Sequence, residues 1–139
     1  MAERGRVLGL DLGDARIGVA ISDDRGRLAL PIGTVRTGAP ADVKAIAEIV
    51  RDREVARVVV GHPLLLSGDA GERAHLAERF ADALRSVLPV PVELHDERLS
   101  TVEADRALRA TGASGRERRR TVDASAAAVI LQAFLDARG

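Results

Sequence analysis

Carboxylates stand at three places where their type and spacing could do chemistry. Asp11 lies inside the apolar run Val7-Leu8-Gly9-Leu10-Asp11-Leu12-Gly13. Asp96 and Glu97 follow the short run Val90 to Leu94, and Asp123 precedes the alanine-rich stretch Ala124-Ser125-Ala126-Ala127. Asp and Gly are poor strand residues, so an acid in the first run needs a reason. It either shapes a turn together with Gly13 and Asp14, or presents an oxygen to a metal from a rigid strand. Three acids brought together repel, and at least one would hold a proton without a cation. A divalent ion removes that cost. Paired ions can activate a water and stabilise the attacking and leaving oxygens of a phosphodiester displacement.

The ligand set narrows the ion. The chain has no cysteine, and His62, His75 and His95 show no zinc-ligand spacing. A bound metal would be held by oxygen, which favours Mg2+ or Mn2+. Each acid also has a plain structural reading. Asp96 can be an ordinary strand-end acid, and Asp123 an acid favoured at a helix start by the dipole. His62 reads as a loop-packing residue and His95 as a surface one. Ser67 and Thr101 could meet a phosphate, but turn and cap roles serve them equally well.

The elements that must position these residues follow from the hydrophobic pattern. Residues 6–12 and 16–22 read as strands joined by Gly13-Asp14-Ala15, too short for a crossover, so they are antiparallel neighbours. Residues 27–35 form a third strand, and Pro31 inside it marks a sheet edge. Residues 41–53 carry Val43, Ile46, Ala47 and Val50 on one helical face. Residues 56–61 read as a doubly covered parallel strand. A loop runs over 61–71, a helix over 72–88 and a fifth strand over 90–94. Ser100 and Glu103 make a capping box for a helix over 100–110. A Gly- and Arg-rich loop spans 111–119, and a last helix 121–137.

Right-handed crossovers put the fourth and fifth strands parallel to the first. The expected fold is α/β, a five-stranded mixed sheet of order 3-2-1-4-5 with helices on both faces. In such a sheet the site lies at the carboxyl ends of the parallel strands, where the winding direction changes. Asp11, the Gly61-His62-Pro63 loop and Asp96-Glu97 all fall there. Either Glu97 or Asp96 can face Asp11, and the smooth alanine face beneath Asp123 lets its helix lie close.

Composition excludes several classes. The 139 residues suit one domain, 1–139, and 46% hydrophobic content argues against disorder. No apolar run approaches the roughly 20 residues of a membrane span, and no secretory pattern opens the chain; a cytoplasmic protein with no membrane partner is expected. With 21 basic and 21 acidic residues the net charge is zero, so no global pull toward nucleic acid exists. The charge is local: Arg116, Arg118, Arg119 and Arg120 lie together, and arginine suits bidentate phosphate contact. Phe80 and Phe134 are the only aromatics, so base-stacking platforms are nearly excluded.

Five blocks in series resemble the YqgF/RuvX family: Gly9-Leu10-Asp11-Leu12-Gly13, Arg16-Ile17-Gly18-Val19-Ala20, Val59-Val60-Gly61-His62-Pro63, Asp96-Glu97-Arg98-Leu99-Ser100-Thr101 and Val122-Asp123-Ala124-Ser125-Ala126-Ala127. The resemblance covers almost the whole chain. It implies a ribonuclease H-like fold and a metal-dependent nuclease. The family is assigned to 5′-end maturation of 16S ribosomal RNA and, more disputedly, to resolving Holliday junctions. By motif, Asp11, Glu97 and Asp123 match its acidic site as metal ligands and catalytic residues. Arg16, Arg98, Thr101 and the arginines at 116, 118, 119 and 120 are the expected nucleic-acid contacts. His62 stands where the family usually carries an apolar residue, and Ala15 where many members carry lysine.

The leading expectation is hydrolysis of an RNA phosphodiester, with pre-16S rRNA or the pre-ribosome as partner and a monomer or weak homodimer as the acting form. A branched-DNA resolvase is the alternative and needs a symmetric dimer. A nucleic-acid or ribosome-binding module without catalysis is a third reading. An ATPase of the actin and Hsp70 kind shares the D-x-G strand motif but needs two lobes, and this chain supplies one.

Overall fold

A computed structural model describes residues 5–99 and 116–138, with side chains for 5–99 and 124–138. Five strands, β1 (Arg6–Leu12), β2 (Arg16–Ser22), β3 (Ala29–Arg36), β4 (Val55–His62) and β5 (Val92–Asp96), form one sheet of order β3-β2-β1-β4-β5. The β1–β2 and β2–β3 pairs are antiparallel, and β1–β4 and β4–β5 are parallel. The described helices are α1 (Ala41–Asp52), α2 (Glu72–Arg85) and α3 (Arg116–Arg138); a single 3-10 turn, Glu97–Leu99, follows β5. The expected helix over 100–110, with Ser100, Thr101 and Glu103, lies outside the described residues.

Strand alternation divides the core into two layers. Leu8, Leu10, Ile17, Val19, Val58 and Val60 face α1 and α2, where they meet Ile46, Val50, Ala81 and Leu84. Val7, Ala20 and Val59 face the other way, onto Ala127, Leu131 and Leu135 of α3. Small residues let α3 lie close. A Cβ on Gly9 would stand 2.7 Å from Leu131 Cβ and 3.3 Å from the Ala127 carbonyl oxygen.

Element ends differ from the sequence reading for local reasons. β3 starts at Ala29 rather than 27, because the Asp23 carboxylate accepts the N–H groups of Arg27 (2.7 Å) and Leu28 (3.2 Å) and keeps both in the turn. Pro31 lies on the edge strand, as expected, at a register shift opposite Val19 and Ala20. β5 starts after Pro91 rather than at 90 and runs on through His95 and Asp96. The largest change is at the last helix. It begins at Arg116, so Arg116, Arg118, Arg119 and Arg120 lie on its first turns and not in a loop. A stretch that is polar on all sides carries no apolar period from which a helix can be read.

Candidate active site

Asp11 stands near the carboxyl end of β1 on the α3 side of the sheet and is only 5% exposed. Glycines flank it in the sheet. Gly18 is its partner on β2. On β4, Val60 pairs with Leu10, so Gly61 stands beside Asp11 one step further along. Two missing side chains leave a smooth floor around the carboxylate.

Glu97 fills part of that space. It opens the 3-10 turn after β5, and its Oε2 lies 2.7 Å from where a Cβ on Gly61 would stand; Ile130 Cδ1 closes the same spot at 2.9 Å. Glu97 therefore projects over β4 toward the neighbourhood of Asp11. Asp96 is held elsewhere. The Arg98 guanidinium donates to it from Nε (3.0 Å to Oδ2) and Nη2 (2.7 Å to Oδ2), and the Arg98 backbone N–H donates to Oδ1 at 2.9 Å. These bonds hold the Asp96 carboxyl below its ordinary range.

The backbone of α3 brings residue 123 to the same level. Gln132 accepts from the Ala29 backbone, and Ala29 pairs with Ser22, whose hydroxyl in turn accepts from Val7 at the far end of β1. Ala127 lies over Gly9. The helix thus descends from the Asp11 end of β1. One turn back from Ala127 is about 5–6 Å, or about two strand residues, which matches the step from Gly9 to Asp11. Asp123 lies inside the helix rather than at its start, so its helix-start reading falls away.

The other expected contacts divide. Arg16 opens β2 opposite Arg36, at the Asp11 end of the sheet. Arg98 is committed to Asp96, and its Nη1 also reaches the Leu66 carbonyl oxygen at 3.4 Å, tethering the loop after β4. His62, one residue past Gly61, points to the opposite face and meets Glu78 of α2 (Nε2 to Oε2, 2.8 Å); His75 meets the same carboxylate at 3.1 Å. The two imidazoles hold the Glu78 carboxyl below its ordinary value of 4.5. His62 thus packs the loop, as expected, with Pro63 beginning the run that leads to α2. Ser67 bonds Asp69 within that loop.

His95 corrects the expectation of a surface residue. It is 7% exposed, edge-on to Phe134 with ring centroids 6.0 Å apart, and burial pushes its imidazole toward the neutral form against the opposing charge of Asp96. The strand extends two residues beyond the expected end and carries His95 under α3. Sequence reasoning also passed over Gly18 as part of the floor; a glycine inside an apolar strand was the available signal. Among the described residues no group of three His, Cys, Asp or Glu side chains is assembled for a metal, and the side chain of Asp123 lies outside them.

A mixed sheet of this order, with helices on both faces and α3 laid across the end of the central strand, is a ribonuclease H-like fold. Solved structures share it: "T. thermophilus RuvC in complex with Holliday junction substrate" aligns over 97% of this chain and 96% of that one, with a TM-score of 0.60 at 18% identity. A second, "Thermus thermophilus RuvC structure", aligns with a TM-score of 0.53 at 17% identity over 96% of this chain and 95% of that one. The family model described as "RuvX: Holliday junction resolvase" matches residues 5–137, and the chain belongs to that nuclease family. A relative from Anaeromyxobacter dehalogenans (strain 2CP-C), named "Putative pre-16S rRNA nuclease", is 54% identical over 134 residues, covering 96% of this chain and 98% of its own. A relative of the same name from Chloroflexus aurantiacus (strain ATCC 29366 / DSM 635 / J-10-fl) is 47% identical over 135 residues, covering 95% of this chain and 87% of its own.

Proposed function

We propose that this protein hydrolyses a phosphodiester bond of RNA in the 5′-end maturation of pre-16S rRNA, with Asp11, Glu97 and Asp123 as its catalytic carboxylates. One observation carries the reading: the Glu97 carboxylate occupies the void above Gly61, beside the buried Asp11, while Asp96 is turned away by Arg98. The donors are all oxygen, which suits Mg2+ or Mn2+. Asp11, Glu97 and Asp123 would hold the ion. When bound, the ion supplies an activated water and stabilises the leaving oxygen. The chain's own residues hold the substrate. Arg16, at the same end of the sheet, and the arginines at 116, 118, 119 and 120, on the first turns of α3, would hold backbone phosphates. Such contacts position a strand without reading its sequence, so selectivity comes from RNA shape or the pre-ribosome. The protein acts in the cytoplasm as a monomer or weak homodimer, and no described helix is long and apolar enough to cross a membrane.

The test compares wild type and Asp11→Asn, each with Mg2+ and with EDTA, on a pre-16S 5′ precursor and on a four-way DNA junction. Cleavage of the precursor by wild type alone, abolished by EDTA, is the expected result. Undiminished cleavage by Asp11→Asn overturns the assignment of the site. Preferential cutting of the junction, by a dimer, replaces the RNA reading with that of a resolvase, the activity in the family description.

A further inference from the structure

Two arginines stand side by side at the end of the sheet that carries Asp11. Arg16 opens β2, Arg36 closes β3, and the two are directly paired across the strands. Their neighbours fix the face they occupy. Ile17 and Val35, the next pair along, pack into the α1–α2 layer, so Arg16 and Arg36 rise from the α3 side, the side of Asp11. Like charges set directly opposite on an antiparallel pair weaken the sheet. An anion held between them removes the repulsion.

The pair is placed for a strand that crosses the acids. Asp11 pairs with Gly18, and Arg16 is two residues further toward the end of the sheet. Strand spacing roots Arg16 about 8 Å from Asp11, and Arg36, one strand beyond, about 12 Å from it. The frame is fixed. Thr37, the residue after Arg36, donates its hydroxyl to the Gly13 carbonyl oxygen at 2.9 Å and its N–H to the Ala15 carbonyl oxygen at 3.0 Å. Arg36 is exposed, and its guanidinium has no hydrogen bond or ion pair among the described residues. Asp14, the acid nearest to Arg16 in the chain, lines the opposite face with Leu12 and Leu76.

Directly opposite Cβ atoms stand about 4.5–5.5 Å apart, so two side chains as long as arginine can converge on one group. Two planar forks of N–H donors suit the oxygens of a phosphate. We propose that Arg16 and Arg36 together clasp one backbone phosphate of the substrate strand, on the β3 side of the acids, and so lead that strand off the sheet over β2 and β3. Arg36 thereby becomes a substrate-positioning residue, and the two arginines form one contact rather than two. The clasp positions the strand without reading its sequence. That the phosphate belongs to RNA rests on the nuclease reading; the binding itself does not require catalysis.

The experiment is fluorescence anisotropy of a short labelled uridine oligomer, titrated with the full-length protein in EDTA over a series of KCl concentrations. Arg36→Gln and Arg16→Gln should each weaken binding about tenfold at low salt. The double variant should also lose about tenfold, rather than the roughly hundredfold of two independent contacts. Its slope of log affinity against log salt should fall by about 0.7, the value for one phosphate of a single strand. A fall of about 1.4 would mean two separate phosphates and overturn the clasp. Arg36→Gln should melt no lower than wild type, since it relieves a like-charge pair; weaker binding with a lower melting temperature would make Arg36 structural and overturn its role. Arg25→Gln removes the same charge from an exposed turn at the far end of β2 and should leave binding within about twofold. Binding untouched by Arg36→Gln, an equal loss in Arg25→Gln, or no binding by wild type would each overturn the proposal. No cleavage is read. A protein that binds through Arg36 without cutting fails the nuclease reading alone, and one that cuts but binds equally without Arg36 fails the clasp alone.

Discussion

The carboxylate of Glu97 lies where a side chain on Gly61 would be: Oε2 is 2.7 Å from the position of the missing Cβ. The glycine is needed for approach, since the strand has no positive φ there. Gly61→Ala should therefore displace the carboxylate from the neighbourhood of Asp11. The colliding atoms, Glu97 Oε2 and Ile130 Cδ1, are the ends of flexible side chains, so the fold absorbs the methyl more easily than the site does. We expect the rate of RNA cleavage to fall by about 10–100-fold, the range seen when a supporting group around a metal site is lost. The thermal midpoint should move little. A Gly61→Ala protein with wild-type cleavage would remove Glu97 from the chemistry.

Gly9 presents the opposite case. A methyl there would meet Leu131 Cβ at 2.7 Å and the Ala127 carbonyl oxygen at 3.3 Å. These atoms belong to the helix framework and cannot rotate away, so α3 itself must shift. Overpacking of this kind costs about 1–3 kcal/mol. Denaturant unfolding of Gly9→Ala should show a lower midpoint with an unchanged slope. Under the role proposed for Asp123, cleavage falls as well, because the shift of α3 moves the backbone of residue 123. A variant as stable as wild type would mean that the helix does not rest on this strand.

Much of this arrangement was legible in the sequence, for definable reasons. Short linkers around the first two strands force them antiparallel, and the helix between each later strand forces a parallel return, so the order β3-β2-β1-β4-β5 follows. Asp11 stood out because an acid in an apolar run needs a cause. The choice between Asp96 and Glu97 was not legible. Adjacent acids at a strand end look alike in sequence, and only the structure shows that Arg98 bonds Asp96 and not Glu97. His95 was misplaced because a pattern of single residues cannot show that the strand runs on past its apolar core. The arginines at 116–120 read as a loop because their helix shows no apolar stripe there.

Ser22, the last residue of β2, ties that strand to the start of β1 at the end remote from the site. Its side chain is 3% exposed, accepts the Val7 N–H at 2.8 Å and donates to the Asp23 carbonyl oxygen at 2.8 Å. Ser22→Ala leaves the Val7 N–H buried without that acceptor. The cost of such a group is about 1–3 kcal/mol, measured by chemical unfolding. Nuclease activity below the new melting temperature should be unchanged, since the site is at the other end of β1. A loss smaller than about 0.5 kcal/mol would show that the amide finds another acceptor.

Asp23 offers a pH-dependent contribution of known sign. Its carboxylate accepts the N–H groups of Arg27 and Leu28, and these bonds, with the Arg27 bond the stronger, hold it below its ordinary value of 3.8. A carboxyl with a lowered folded-state pKa stabilises the fold when ionised. The contribution is complete above the unfolded value and is lost as pH falls from 3.8 through the lower folded value. Asp23→Asn lacks the charge at every pH. Its melting temperature should therefore lie below that of wild type by a constant gap above about pH 5, and the gap should narrow as the solution is acidified below about pH 4. Melting curves of both proteins across that range measure it. A gap that stays constant into acid would assign the effect to the shape of the turn, with the Asp23 charge contributing nothing.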